Sequence, residues 1–163
     1  MVINPSLVLG PALNAAPTSE TFRIVKQIGD GTMKAGAPRA GVGAVDVRDL
    51  ADAHVAAAFT PDAKGRNIVS GHNTDLLELG LALQDKYGAD YPLPKRALPK
   101  WLVWLVGPFS GISRTFVARN VNVVWKADNA KGRRELGVTY RTLQDTMEDM
   151  FAQMIDDGTF RKP

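Results

Sequence analysis

The chain opens on a short apolar run. In MVINPSLVLG, Val2, Ile3, Leu7, Val8 and Leu9 precede a stop at Gly10 and Pro11, the pattern of a buried strand running into a turn. Phe22, Val25 and Ile28 then recur at helical spacing after an entry at Pro17 to Ser19. GDG, Gly29 to Gly31, ends that face, with Gly29 as the expected helix terminator. TMKAGAPRAGVG is too rich in glycine and proline for regular structure and reads as a surface loop. A brief strand is predicted over Ala44 to Val47, followed by a helix whose small-residue face is Leu50, Ala53, Ala57 and Ala58, with Asp49 as its cap. GRNIVSG is a strand between glycines. Thr74 begins a leucine-rich helix that ends near Tyr87 and Gly88. YPLPKRALP is held extended by its prolines, and the tail closes on an amphipathic helix from Thr142 to Ile155.

These elements make a mixed α/β fold without internal repeats. Val2 to Leu9 and Arg66 to Ser70 are expected side by side in one small parallel sheet, because the helix from Asp49 to Phe59 supplies the crossover that parallel neighbours require. Leu7, Val8, Ile68 and Val69 are then expected to be largely buried.

Composition adds bounds rather than detail. A chain of 163 residues, 45% hydrophobic and 23% charged, suits one domain over 1–163 with one core. The net charge is +3, and basic residues such as Arg23, Lys34, Lys64, Lys100 and Arg161 are spread along the chain, so no nucleic-acid partner is expected. There is no cysteine, which excludes disulfides and thiolate metal sites. MVINP lacks the basic and apolar regions of a secretory signal, and a cytoplasmic location is expected. KWLVWLVGPF is too short to span a bilayer, which takes roughly 20 apolar residues. No membrane partner is expected. Trp101, Trp104 and Leu105 would form one helical stripe, read first as core packing, with a monolayer contact or a partner interface as the other readings.

The search for chemistry returns mostly exclusions. Neither G-x-G-x-x-G after a strand nor G-x-x-x-x-G-K-[ST] occurs. His54 and His72 are the only histidines and lack metal-ligand spacing, so His54 reads as a structural helix residue and His72 as a turn residue. Tyr91 and Lys95 match a Y-x-x-x-K spacing that brings phenol and ammonium together on a helix. Here Pro92 and Pro94 hold the stretch extended and separate them.

Four segments in order, NPSLVLGP, VDVRDLADAHVAA, GRNIVSG and DNAKGRRELGV, resemble the second half of the extended short-chain dehydrogenase/reductases, in the dihydroflavonol reductase and cinnamoyl-CoA reductase branch. The resemblance runs from Met1 to about Phe151. It implies that NPSLVLGP is a late strand of a doubly wound parallel sheet, and that the chain is the C-terminal substrate-binding part of an extended Rossmann-type reductase, with late sheet strands and a mostly helical remainder.

In that family the glycine-rich first turn, the ribose-selecting residue and the catalytic serine, tyrosine and lysine all precede the segments matched here. The resemblance therefore implies no catalytic residue in this chain, and the dinucleotide-binding half is expected to be absent. It does imply NADP or NAD as cofactor, with Pro5, Ser6, Leu7, Val8 and Ser19 at its nicotinamide end and Gly43 and Ala44 on the substrate wall. Gly43 stands where relatives often carry a polar residue. The expected function is the substrate-binding half of a reductase of a ketone, aldehyde or acyl-CoA, inactive by itself. The alternative is a non-catalytic, self-associating product of a truncated reading frame. The first strand would leave a bare edge, so a homodimer is expected, by edge pairing or exchange of the N-terminal segment. The alternative is a chain that covers this edge with its own C-terminal helix around Met147 to Ile155.

Overall fold

The computed structural model describes residues 1–13 and 19–160. Five strands, β1 (Val2–Pro5), β2 (Leu7–Leu9), β3 (Gly41–Asp46), β4 (Arg66–Val69) and β5 (His72–Asp75), are interleaved with eight helices among these residues. The helices are α1 (Glu20–Gly29), α2 (Val47–Phe59), α3 (Leu76–Leu81), α4 (Gln84–Tyr87), α5 (Lys100–Val106), α6 (Arg114–Asn120), α7 (Ala130–Leu136) and α8 (Leu143–Asp156). Pro17 and Thr18 of the expected helix entry lie outside the described residues. Ser19 is the N-cap of α1.

The opening apolar run is two strands rather than one. β1 pairs in parallel with β4, Val2 opposite Arg66 and Pro5 opposite Val69, with α2 in the crossover as parallel pairing demands. At Ser6 the chain changes sheets. Its amide still donates to the Val69 carbonyl (3.1 Å), yet Leu7 already lies opposite Ala44 of β3. The partner strand does the same, since beyond Ser70 and Gly71 it returns as β5, antiparallel to β3, with His72 also opposite Ala44. β3 is thus wedged between the continuations of two neighbouring strands. The expectation of a single sheet holds for Val2–Pro5 and Arg66–Val69 and fails for Leu7–Leu9, which joins a second sheet in the order β2-β3-β5.

The second sheet covers the larger core, where Leu9, Val25, Ile28, Leu79, Met150 and Phe151 meet. α1 ends at Gly29, as expected from sequence, but without a left-handed turn at that residue. Asp30 is the C-cap, and the next residue, Gly31, takes the positive φ of 90°. Gly29 instead admits two rings, because an added Cβ would lie 2.6 Å from atoms of both Phe151 and Phe160. A smaller cluster of Val45, Ala53, Val69, Leu136 and Val138 joins α2 and α7 to the strands.

Other expectations are corrected by local competition. Val69 is fully buried and Leu7 and Val8 half-buried, but Ile68 is 40% exposed because β4 alternates and turns Arg66 and Ile68 outward. The cap of α2 is Asp46, whose carboxylate accepts from the Arg48 amide, and not Asp49, which is buried and accepts from Arg141. Thr74 belongs to β5 opposite Val42, and the leucine-rich helix starts after it, capped by Asp75. That helix is also broken, since α3 ends at Leu81 and α4 resumes at Gln84. Trp101, Trp104 and Leu105 are exposed rather than packed in a core, because only Val103 on the other face of α5 meets Val117 and Val121 of the α6 region.

Candidate functional site

β1 and β4 part at their carboxyl ends, the side on which open α/β sheets bind ligands. Ser6 and Ser70 follow the last paired residues, Pro5 and Val69. The Oγ atoms of both are buried and have no hydrogen-bond partner among the described residues. Leaving a buried hydroxyl unpaired costs about 1–3 kcal/mol, and Asn67 Nδ2 and the Tyr140 and Thr146 hydroxyls are likewise buried without a partner among the described residues. Asn129 Nδ2 donates to the Ser70 carbonyl (2.5 Å) and holds the loop before α7 against the same junction.

The wall above it is built from two glycines. Gly41 and Gly43 lie on one face of β3, where successive side chains alternate. The segment Val123 to Trp125 crosses that face at backbone contact distance. An added Cβ at Gly41 would lie 2.5 Å from the Val123 carbonyl oxygen, and one at Gly43 would lie 2.2 Å from Trp125 Cζ3 and 2.8 Å from Ser6 Cβ. Asn73 fixes the crossing segment, its Oδ1 accepting from the Ala127 amide (2.9 Å). Beside Trp125 lies an open cleft of about 500 Å³, lined by Arg39, Asn73, Thr74, Asp75, Glu78 and Lys126 among others. Arg39 bridges Asp75 (2.8 Å) and Glu78 (2.9 Å), and Lys126 forms none of the ion pairs found among the described residues.

The residues expected at the site separate into two groups. Pro5 is exposed at the end of β1, and Ser6 sits at the junction. Leu7 and Val8 instead direct their side chains into the larger and smaller cores, with their backbones laddered to β3. Ser19 is exposed at the start of α1 and makes no side-chain cap bond. Gly43 faces Trp125, whereas Ala44 is fully buried in the core. Sequence reasoning missed Ser70, Asn73 and Trp125. The spacing Gly41-x-Gly43 held the clue to Trp125, because glycine within a strand marks a close approach.

Both histidines meet backbone carbonyls. His54 Nδ1 meets the Leu50 carbonyl on α2 and His72 Nε2 the Arg141 carbonyl, each at 2.8 Å, and His72 opens β5 rather than forming a turn. Tyr91 packs edge-on against Phe151, 5.0 Å between centroids. No group of three potential metal ligands occurs among the described residues. Behind the site, burial pushes the Asp46 carboxyl up, but Arg48, with side-chain donors at 2.7 and 2.9 Å and its amide at 2.8 Å, outweighs it and holds Asp46 below the usual carboxylate range. Burial raises the Tyr140 phenol against the pull of Arg133.

No protein-family model matches the chain. It is 36% identical over 103 residues to tetraketide alpha-pyrone reductase 2 of Arabidopsis thaliana, covering 61% of this chain and 30% of that protein. It is 38% identical over 99 residues to cinnamoyl-CoA reductase 2 of the same plant, covering 59% and 28%. Solved structures match over nearly the whole chain. Yeast methylglyoxal/isovaleraldehyde reductase Gre2 complexed with NADPH has a TM-score of 0.63 at 20% identity, over 96% of this chain and 46% of that one. A nucleoside-diphosphate-sugar epimerase from Pseudomonas aeruginosa has a TM-score of 0.69 at 22% identity, over 98% and 49%. The fold is therefore that of part of a Rossmann-type reductase. The curated relatives are tetraketide alpha-pyrone and cinnamoyl-CoA reductases, and the chain spans under a third of their length.

Proposed function

We propose that this chain is the substrate-binding half of an NAD(P)-dependent reductase of a ketone, aldehyde or acyl-CoA, acting in the cytoplasm. The observation that carries the reading is the pair of buried, unpartnered hydroxyls, Ser6 and Ser70, where β1 and β4 part. They fit the carboxamide end of a nicotinamide, which offers both a hydrogen-bond donor and an acceptor. Nothing comparable serves the pyrophosphate, since no glycine-rich strand-to-helix turn occurs in the sequence. The nicotinamide would supply the hydride. The chain's own part is to form the polar floor at Ser6 and Ser70 and, through Trp125 over Gly43, to fill the space a larger wall residue would take. The dinucleotide-binding half and the proton-donating tyrosine belong, on this reading, to another segment.

Titration of NADPH and NADH against the purified chain, followed by nucleotide fluorescence, tests the division of labour. The expected result is no saturable binding at micromolar concentration, and saturation there would overturn it. The intact mass of the protein from its own cell separates the two functional readings. A species well above 17.6 kDa supports a half-enzyme, and one at that mass supports the non-catalytic, self-associating alternative. The bare edge of β1, which pairs only with β4 among the described strands, favours self-association of such a chain as a homodimer.

A further inference from the structure

We propose that the outward face of the α5–α6 hairpin docks on an anionic lipid surface. α5 and the 3₁₀ turn after it (Gly107–Ser110) turn Trp101 (67% exposed), Trp104, Leu105, Val106 and Phe109 (92%) to solvent, and α6 adds Phe116. The hairpin's inward face is already satisfied by Val103, Val117 and Val121. Large contiguous apolar patches are rare on soluble monomers and mark interaction surfaces.

Charge identifies the occupant. Residues 91–127 contain all three tryptophans and six basic residues, Lys95, Arg96, Lys100, Arg114, Arg119 and Lys126, and no acidic residue. The rest of the chain carries 14 basic and 17 acidic residues, a net −3. The basic residues are spread along the sequence, as first read, but the acidic ones are excluded from this one segment. None of the six belongs to an ion pair among the described residues. Lys100, Arg114 and Arg119 lie on α5 and α6 themselves, the Lys100 ammonium donating to the Ala118 carbonyl (2.8 Å) and the Arg114 guanidinium lying 4.3 Å from the Trp104 ring centroid, whereas Arg96 donates to the Ala35 carbonyl and Lys126 lines the cleft beside Trp125. Tryptophan beside cations, with aliphatic and phenyl tips projecting outward, is the composition of a surface that sits at a headgroup boundary, and anionic leaflets attract unpaired Lys and Arg. A second copy on this face would oppose like charges, and a nucleic acid would leave Leu105, Val106 and Phe109 in water. No helix among the described residues is long and apolar enough to cross a membrane, so the contact is peripheral. This replaces the sequence expectation of no membrane partner.

The test is flotation of the purified chain with vesicles of phosphatidylcholine alone and with about 30 mol% phosphatidylserine, at low and high salt. The expected result is partition at least about tenfold stronger on the anionic vesicles, weakened by salt. Brominated acyl chains should quench the fluorescence of Trp101 and Trp104, and the W101F/W104F variant, which keeps Trp125, should lose that quenching. Leu105→Asp with Phe109→Asp should abolish partition, and Arg114→Gln with Arg119→Gln should remove the anionic preference while circular dichroism stays unchanged. Absence of partition, equal partition by the L105D/F109D variant, equal retention on a DNA duplex, or loss of a dimer in that variant by sedimentation would each overturn the proposal. None of these readouts depends on nucleotide binding.

Discussion

Trp125 occupies the space in front of Gly43, so that a Cβ added at Gly43 would clash with its ring, 2.2 Å from Cζ3. The contact joins the middle of β3 to a segment more than 80 positions later and closes the face that lies beside Ser6. Gly43→Val must therefore expel the ring or push β3 from Ser6. Overpacking of this kind costs about 1–3 kcal/mol. In a W101F/W104F background the remaining Trp125 should become more accessible to acrylamide and emit at longer wavelength. Unchanged quenching would show that the ring does not rest there.

Asp46 links the end of β3 to α2 and, through Arg48 and Asp149 (2.8 Å), to α8. Its carboxyl is held below the usual range when folded. It therefore contributes stability that is complete above the unfolded carboxylate value near about 3.9 and is lost as pH falls through the lower folded value. Asp46→Asn is expected to destabilise the chain by about 1.5–3 kcal/mol at neutral pH and to flatten the acid limb of a stability-versus-pH curve measured by urea unfolding. An acid limb of unchanged slope would assign it to other carboxylates.

Burial on β4 gives a paired prediction. Ile68 was expected inside, where truncation to alanine costs about 2–5 kcal/mol, but it is 40% exposed. Ile68→Ala should cost less than about 1 kcal/mol, whereas Phe151→Ala, in the core against Gly29, should cost about 3–5 kcal/mol. Denaturant midpoints of the two variants check the order, and equal losses would contradict the alternation of β4.

What could be read from the sequence was governed by local pattern. Phe22, Val25 and Ile28 placed α1, and Thr142 to Ile155 placed α8 to within a residue, because periodicity and caps are carried by neighbouring residues. The parallel pairing of Val2–Pro5 with Arg66–Val69 was also legible, since the intervening helix permits little else. The switch of sheets at Ser6 was not, because nothing in SLVL distinguishes a strand that keeps its partner from one that changes it. The cap of α2 was misassigned between Asp46 and Asp49, two carboxylates one helical turn apart. At the site, the family pattern drew attention to Ser6 and Gly43, while Trp125, Asn73 and Ser70 reach them only through tertiary contacts. The indole stripe of α5 was expected inside because exposure depends on what packs against a helix, and only Val103 finds partners there.

The last prediction concerns the free edge of β1. Along this strand Val2 and Ser6 send their amides to the Gly65 and Val69 carbonyls of the β4 side, and alternation directs the Ile3 amide to the opposite, unpaired edge. Helix α8, a candidate to cover that edge, packs instead on β2 and α1 through Met150 and Phe151. Pro5 leaves no amide at the end of this edge, but the strand carries no charge to oppose addition of another strand there. The chain alone should therefore sediment as a dimer at micromolar concentration, joined through β1. Val8→Lys is a poor probe, because Val8 is half-buried in the smaller core. Val2 is half exposed on β1, and Val2→Lys should convert the dimer to monomer with little change in the unfolding midpoint, since an edge lysine opposes strand addition without opening a cavity. A dimer that survives Val2→Lys unchanged would place the interface elsewhere, and a wild-type chain that sediments as a monomer would show that the bare edge does not drive association.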